Sequence, residues 1–100
     1  MEKKEIVDAL SEVLDPEIGM DIVTLGLIYD IEIEDSKVNI DMTLTFPGCP
    51  LANVMVNSAK EKIESLEGVT EANVNLIFEP RWEQSMVSED NYKKLLENDK

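Results

Sequence analysis

A lone cysteine, Cys49, sits in the run Leu44-Thr45-Phe46-Pro47-Gly48-Cys49-Pro50-Leu51, where an alternating apolar pattern gives way to a helical one. Pro50 suits the first turn of a helix, because its missing N–H leaves no bond unmade there, so Cys49 falls at or beside the N-cap. The positive end of the helix dipole favours thiolate, and a thiolate at an open helix start is a competent metal ligand or nucleophile. Pro47 and Gly48 would let the backbone approach a ligand closely. A plain core cysteine fits the same flanks, since free cysteine is among the most buried residue types, and both readings stand at this point. The rest of the inventory is narrow. Histidine is absent, which excludes Cys-His nucleophile pairs and histidine-containing zinc sites and leaves Cys49, carboxylates, hydroxyls and backbone. As bases for Cys49 only Asp15, Glu17 and Asp21 come into question, and a carboxylate beside a thiol raises the thiol pKa, opposing the helix effect.

The elements that must position these groups follow from periodicity. Ile6, Leu10, Val13 and Leu14 recur at helical spacing between Lys3 and Leu14, with Val7 widening the stripe, and Asp15-Pro16 ends that helix because proline disfavours helical geometry at the residue before it. Tyr29, Ile31 and Ile33 alternate with acids, and Val38, Ile40, Met42 and Leu44 alternate with Asn39, Asp41 and Thr43. The short Glu34-Asp35-Ser36-Lys37 junction joins these two strands as an antiparallel hairpin with one apolar and one acidic face. A helical stripe from Pro50 to Leu66 ends at the capping Gly68, and a third strand through Ala72, Val74, Leu76 and Phe78 ends near Pro80. The strand-helix-strand series makes its two strands parallel. Ser88 caps a last short helix carrying Tyr92, Leu95 and Leu96 inward, and Trp82 is read first as a packing anchor. The expected fold is a single α+β domain over residues 1–100. It is a two-layer sandwich of order α-β-β-α-β-α, with a three-stranded mixed sheet and the helices on one face.

Nine basic residues face twenty-two acidic ones, a formal charge of -13 that repels phosphate backbones and anionic lipid alike. Neither a nucleic-acid nor a membrane partner is expected. The apolar stretches are too short to cross a bilayer, and the amino terminus leads into an amphipathic pattern, not a signal-peptide core. One cysteine cannot form an internal disulfide, which fits a reducing compartment, and the chain reads as cytoplasmic.

Four blocks, in order, carry a resemblance that covers nearly the whole chain: Asp15-Pro16-Glu17-Ile18-Gly19, the run Ile22 to Ile31 containing Leu25-Gly26-Leu27, the Thr45 to Leu51 cysteine loop, and Pro80-Arg81-Trp82. In them the sequence resembles the SufT/PaaD-like metal-sulfur cluster assembly family, which includes the eukaryotic cytosolic iron-sulfur targeting-complex subunit. The resemblance implies an accessory factor that helps place or traffic iron-sulfur clusters, with iron-sulfur carriers or client apoproteins as partners, and not an enzyme. It implies a site made of Cys49 with Asp15, Glu17 and Thr45. Many members carry a second Thr after the first, where this chain has Phe46, so two adjacent hydroxyls are not available here. The fold also resembles the cluster-carrying domain of NifU-type scaffolds, whose Cys-x-x-Cys pair is missing.

One thiolate per chain cannot hold a cluster in a closed site, because clusters take four protein ligands, mostly thiolates. The expected cofactor is therefore at most a labile iron-sulfur cluster, bound by Cys49 transiently or shared with a second chain, as in a homodimer, or with a partner. Two readings compete with this. In one, Cys49 is the nucleophile of a thiol-dependent enzyme. In the other, the domain is an interaction module, including a PaaD-like module supporting a multicomponent oxygenase.

Overall fold

The computed structural model describes residues 2–45, 52–79 and 81–97. The elements are α1 (Lys3–Leu10), β1 (Ile28–Glu34), β2 (Lys37–Met42), α2 (Ala52–Glu64), β3 (Glu71–Leu76), a 3-10 turn (Gln84–Met86) and α3 (Asp90–Glu97). The sheet has the order β1-β2-β3, with β1 antiparallel and β3 parallel to β2. This is the expected α+β sandwich with a mixed sheet. Among the described residues no helix is long and apolar enough to cross a membrane.

Register explains the two faces. Val38, Ile40 and Met42 of β2 are fully buried, and Ile31 and Ala72 flank them across the ladders. Against this side pack Ile6, Val7 and Leu10 of α1 and Met55, Ala59 and Ile63 of α2, all in one apolar cluster. Each large aliphatic side chain buried there contributes roughly 1.5–3 kcal/mol, offset by the ordering of the chain. On the opposite side the ladder aligns Glu34, Lys37 and Glu71 in one row, Glu32, Asn39 and Asn73 in the next, and Asp30, Asp41 and Asn75 in a third. Amide side chains tie β3 to β2 within two of these rows, Asn73 Nδ2 donating to Asn39 Oδ1 (3.2 Å) and Asn75 Nδ2 to Asp41 Oδ1 (3.3 Å). The hairpin turns at Asp35, whose φ of 56° is a conformation that a short polar side chain tolerates.

Four details depart from the periodic reading. Helix α1 stops at Leu10, not Leu14: the Ser11 hydroxyl bonds back to the Asp8 carbonyl (2.7 Å), and Glu12 and Val13 bond three residues back instead of four. Val13 stays buried while Leu14 turns out to solvent. In β1 the step from Ile28 to Asp30 faces the single step from Met42 to Asp41, so Tyr29 is an extra residue in a bulge, and Ile28 shares the buried side with Ile31. Strand β3 ends at Leu76, and Leu76 and Phe78 are partly exposed, because β3 is an edge strand whose partner β2 ends at Met42. Thr43, expected on the wet face, is buried instead.

Helix α3 forms as read from the sequence. The Asp90 amide donates to Ser88 Oγ (3.1 Å), Leu95 is buried, and Tyr92 and Leu96 pack against the core.

Candidate functional site

The Asp15 block folds into a tight loop fixed by its own residues. Asp15 is only 3% exposed, and its Oδ1 accepts from the amides of Glu17 (2.8 Å) and Ile18 (3.1 Å). Its amide donates to the Met20 carbonyl (2.9 Å) and its carbonyl accepts from Gly19 N (2.8 Å). Gly19 takes φ 81°, which closes the loop, and Leu14 and Asp21 then bridge antiparallel. Asp21 repeats the device one turn on, its Oδ2 accepting from Thr24 N (2.9 Å). Turn chemistry therefore accounts for the Asp15 carboxylate, while Glu17 is exposed on the same loop.

A run of backbone bonds carries this loop to the end of β2. Thr43 N donates to Leu27 O (2.8 Å), Leu27 N to Ile22 O (3.1 Å) and Ile22 N to Val13 O (3.0 Å). The Asp15 loop thus lies two residues beyond a bonded path that starts two residues before Thr45. Thr45 is half-buried where the second strand runs out. Cys49, with the whole segment 46–51, lies outside the described residues, and so does Pro80 of the fourth block. Among the described residues no group of three or more Cys, Asp and Glu side chains could hold a metal ion.

The Leu25-Gly26-Leu27 turn is roofed by the C-terminal segment. Trp82 Nε1 donates to Leu25 O (2.7 Å), Ser88 N to Thr24 O (2.9 Å), and Asn91 Nδ2 to both Thr24 O (2.9 Å) and Met86 O (2.8 Å). Gly26, at φ 83°, passes so close beneath that a Cβ there would stand 2.6 Å from Met86 O. Trp82 is thus a packing anchor with its N–H satisfied.

Two residues at this end were not singled out from the sequence. Asn91 is a clip between two backbone carbonyls, and only a polar residue on the inner side of an amphipathic helix would have hinted at it. Thr43 is 1% exposed, and its Oγ1 lies beside the Tyr29 phenol without a hydrogen bond of proper geometry among the described residues. Period-two alternation put Thr43 outside. Beyond Met42 the chain stays in register with the segment before β1, Thr43 N bonding to Leu27 O, and its hydroxyl comes to lie beside the bulged Tyr29, which alternation cannot foresee. Burial pushes the Tyr29 phenol up, and its hydroxyl also donates to Met86 Sδ (3.7 Å).

Comparison with known proteins places the chain. A family model described as iron-sulfur cluster assembly protein matches residues 3–75. The chain is 42% identical over 87 residues to the Fe-S protein maturation auxiliary factor YitW of Bacillus subtilis, covering 86% of this chain and 85% of that one. It is 38% identical over 77 residues to the Fe-S protein maturation auxiliary factor SufT of Staphylococcus aureus, covering 76% and 88%. Among solved structures, the conserved hypothetical protein TM0487 of Thermotoga maritima superposes with a TM-score of 0.80 at 41% identity, covering 94% of this chain and 93% of that one. With most of its length matched both in sequence and in fold, the chain belongs to the iron-sulfur cluster assembly protein family.

Proposed function

We propose that this protein is an accessory factor that helps deliver iron-sulfur clusters to client apoproteins, with Cys49 as its working thiol and the cluster as cargo. Relatives named as Fe-S protein maturation auxiliary factors support the general role. The observation that carries the local reading is the bonded path from Thr43 through Leu27 and Ile22 to Val13. It tethers the loop of Asp15 and Glu17 to the strand end at Thr45, from which the sequence runs on to Cys49, and this supports reading the four residues as one site. Asp15 holds the loop through two amides, Glu17 offers an exposed carboxylate, and Thr45 offers a hydroxyl at the strand end.

One thiolate per chain makes such a site open by necessity. The remaining ligands come from a second chain, a carrier or the client, and an open site suits transfer better than storage. A thiol enzyme has less support, because the Asp15 carboxylate already accepts two backbone amides and the chain has no histidine to serve as base.

The test is anaerobic iron-sulfur reconstitution of the wild type and of Cys49→Ala, followed by absorption and Mössbauer spectra and by transfer to an apo-ferredoxin. Uptake and transfer that vanish in the variant are expected. Equal transfer by both proteins would remove Cys49 from the role, and no uptake by either would leave an adaptor that never carries the cluster.

A further inference from the structure

The Asp15 loop does something its hydrogen bonds alone do not require: it displays large apolar side chains. Leu14 is 57% exposed, Ile18 46% and Met20 36%. All three sit within seven residues, on a loop held by the Asp15 carboxylate and by the Asp15–Met20, Gly19–Asp15 and Ile22–Val13 backbone bonds. Apolar side chains in a slack loop would fold inward. Here the backbone is fixed, so the exposure is presented in advance of any contact and little ordering cost remains.

Leu14 also forms one wall of an open groove of about 570 Å³, whose other wall is the α2 face of Ser58, Glu61, Lys62 and Ser65. Charge borders the apolar surface. Among the described residues Lys62 is the cation lining the groove and is paired with Glu12 at 2.9 Å, so Glu61 and the neighbouring Asp21 leave the border negative. A second copy is a poor occupant, because it would bring an equally acidic border and a further charge of -13. We infer that Leu14, Ile18 and Met20, with the adjoining α2 groove, are the docking surface for a partner polypeptide that offers an apolar face rimmed by Lys or Arg. This rests on the function proposed above only in naming the partner as a carrier or client.

The experiment titrates isotope-labelled protein with an amphipathic helical peptide of Leu and Lys, using a Leu/Glu peptide of the same pattern as control, and follows backbone amide shifts. Shifts centred on residues 12–21 and on Ser58 to Ser65 are expected, weakening as salt rises. The Leu14→Ser/Ile18→Ser double variant, altered only at exposed positions, should keep its dispersed spectrum and lose about tenfold or more in affinity. Shifts centred instead on Asp30, Glu32, Asp41 and Glu71 of the open sheet face would overturn the inference, as would equal binding of the Leu/Glu peptide, no binding at all, or sedimentation showing that the loop pairs with a second copy. No cluster is present in this titration, so its failure leaves the transfer assay standing, and failure of transfer leaves the docking surface standing.

Discussion

Between Val13 and Leu27 the chain is fixed by bonds to itself: two aspartates accept amides two and three residues ahead, and backbone bonds close each turn locally. From Trp82 to Glu97 it is fixed from outside. Trp82, Ser88 and Asn91 reach the carbonyls of Thr24 and Leu25, and Tyr92 reaches the Asp8 carboxylate. The two segments meet at Gly26. The first should hold its shape as a unit, whereas the second depends on a few clips to a distant turn and should open at lower free energy.

The largest effect should come from the meeting point. Gly26→Ala introduces strain at φ 83° and a methyl 2.6 Å from Met86 O, so it should destabilise the fold by about 2–4 kcal/mol, read as a drop in the urea midpoint. Amide exchange should rise in residues 82–97 well before it rises in β2. If protection fell equally in both, the C-terminal segment would not be a separate unit.

An intermediate effect should come from the self-held side. Asp15→Ala removes the acceptor for two amides in a nearly buried position and should cost about 1–2 kcal/mol, whereas Asp15→Asn keeps an acceptor oxygen and should cost less than half as much. Comparing cluster transfer by the two variants sharpens the distinction. Activity that follows stability assigns Asp15 to holding the loop, and loss in a stable Asp15→Asn assigns its charge to the site.

The smallest effect belongs to the clip between α1 and α3. The Lys4 ammonium, and then the Tyr92 hydroxyl, hold the Asp8 carboxyl below its usual range, while the bond to Asp8 and partial burial raise the Tyr92 phenol. Asp8 therefore adds stability above the ordinary carboxylate pKa of about 4, lost as pH falls through its lowered value. Tyr92 adds stability below about pH 10, lost as pH rises through its raised value. Both contributions are small because the groups are solvated. The Leu95 methyl shifts, followed from acid to alkaline pH, should move at both extremes, and Asp8→Asn should abolish the acid limb.

This contrast also separates what the sequence reveals from what it hides. The Asp15-Pro16 stop, the hairpin at Asp35, the α2 stripe and the Ser88 cap are local devices, and local spacing exposes them. The Ile6 and Leu10 spacing predicts an inward Leu14, but Ser11 ends the helix first. The bulge at Tyr29 and the burial of Thr43 beside it depend on how the two strands meet at the end of the hairpin, and the Trp82 and Asn91 clips end on carbonyls that every residue possesses. No residue type marks such an acceptor. The Thr43 to Val13 path links the loop of Asp15 and Glu17 to the strand that ends near Thr45, and no spacing along the chain contains it.

The parallel pairing of β2 with β3 carries a consequence for how the chain reaches its native state. Every pair in that ladder, from Lys37 with Glu71 to Met42 with Leu76, joins residues 34 apart, whereas the β1–β2 hairpin closes over the turn at Asp35. Closing the longer loop demands more entropy before any contact rewards it, so the hairpin should assemble first and β3 should zip on later. On a ribosome, Val38, Ile40 and Met42 would stay partly uncovered until α2 arrived, and β2 would keep one bare edge until residues 71–76 followed. During that interval the carboxylates of Asp30, Glu32, Glu34 and Asp41 would guard the hairpin against pairing with a neighbouring chain.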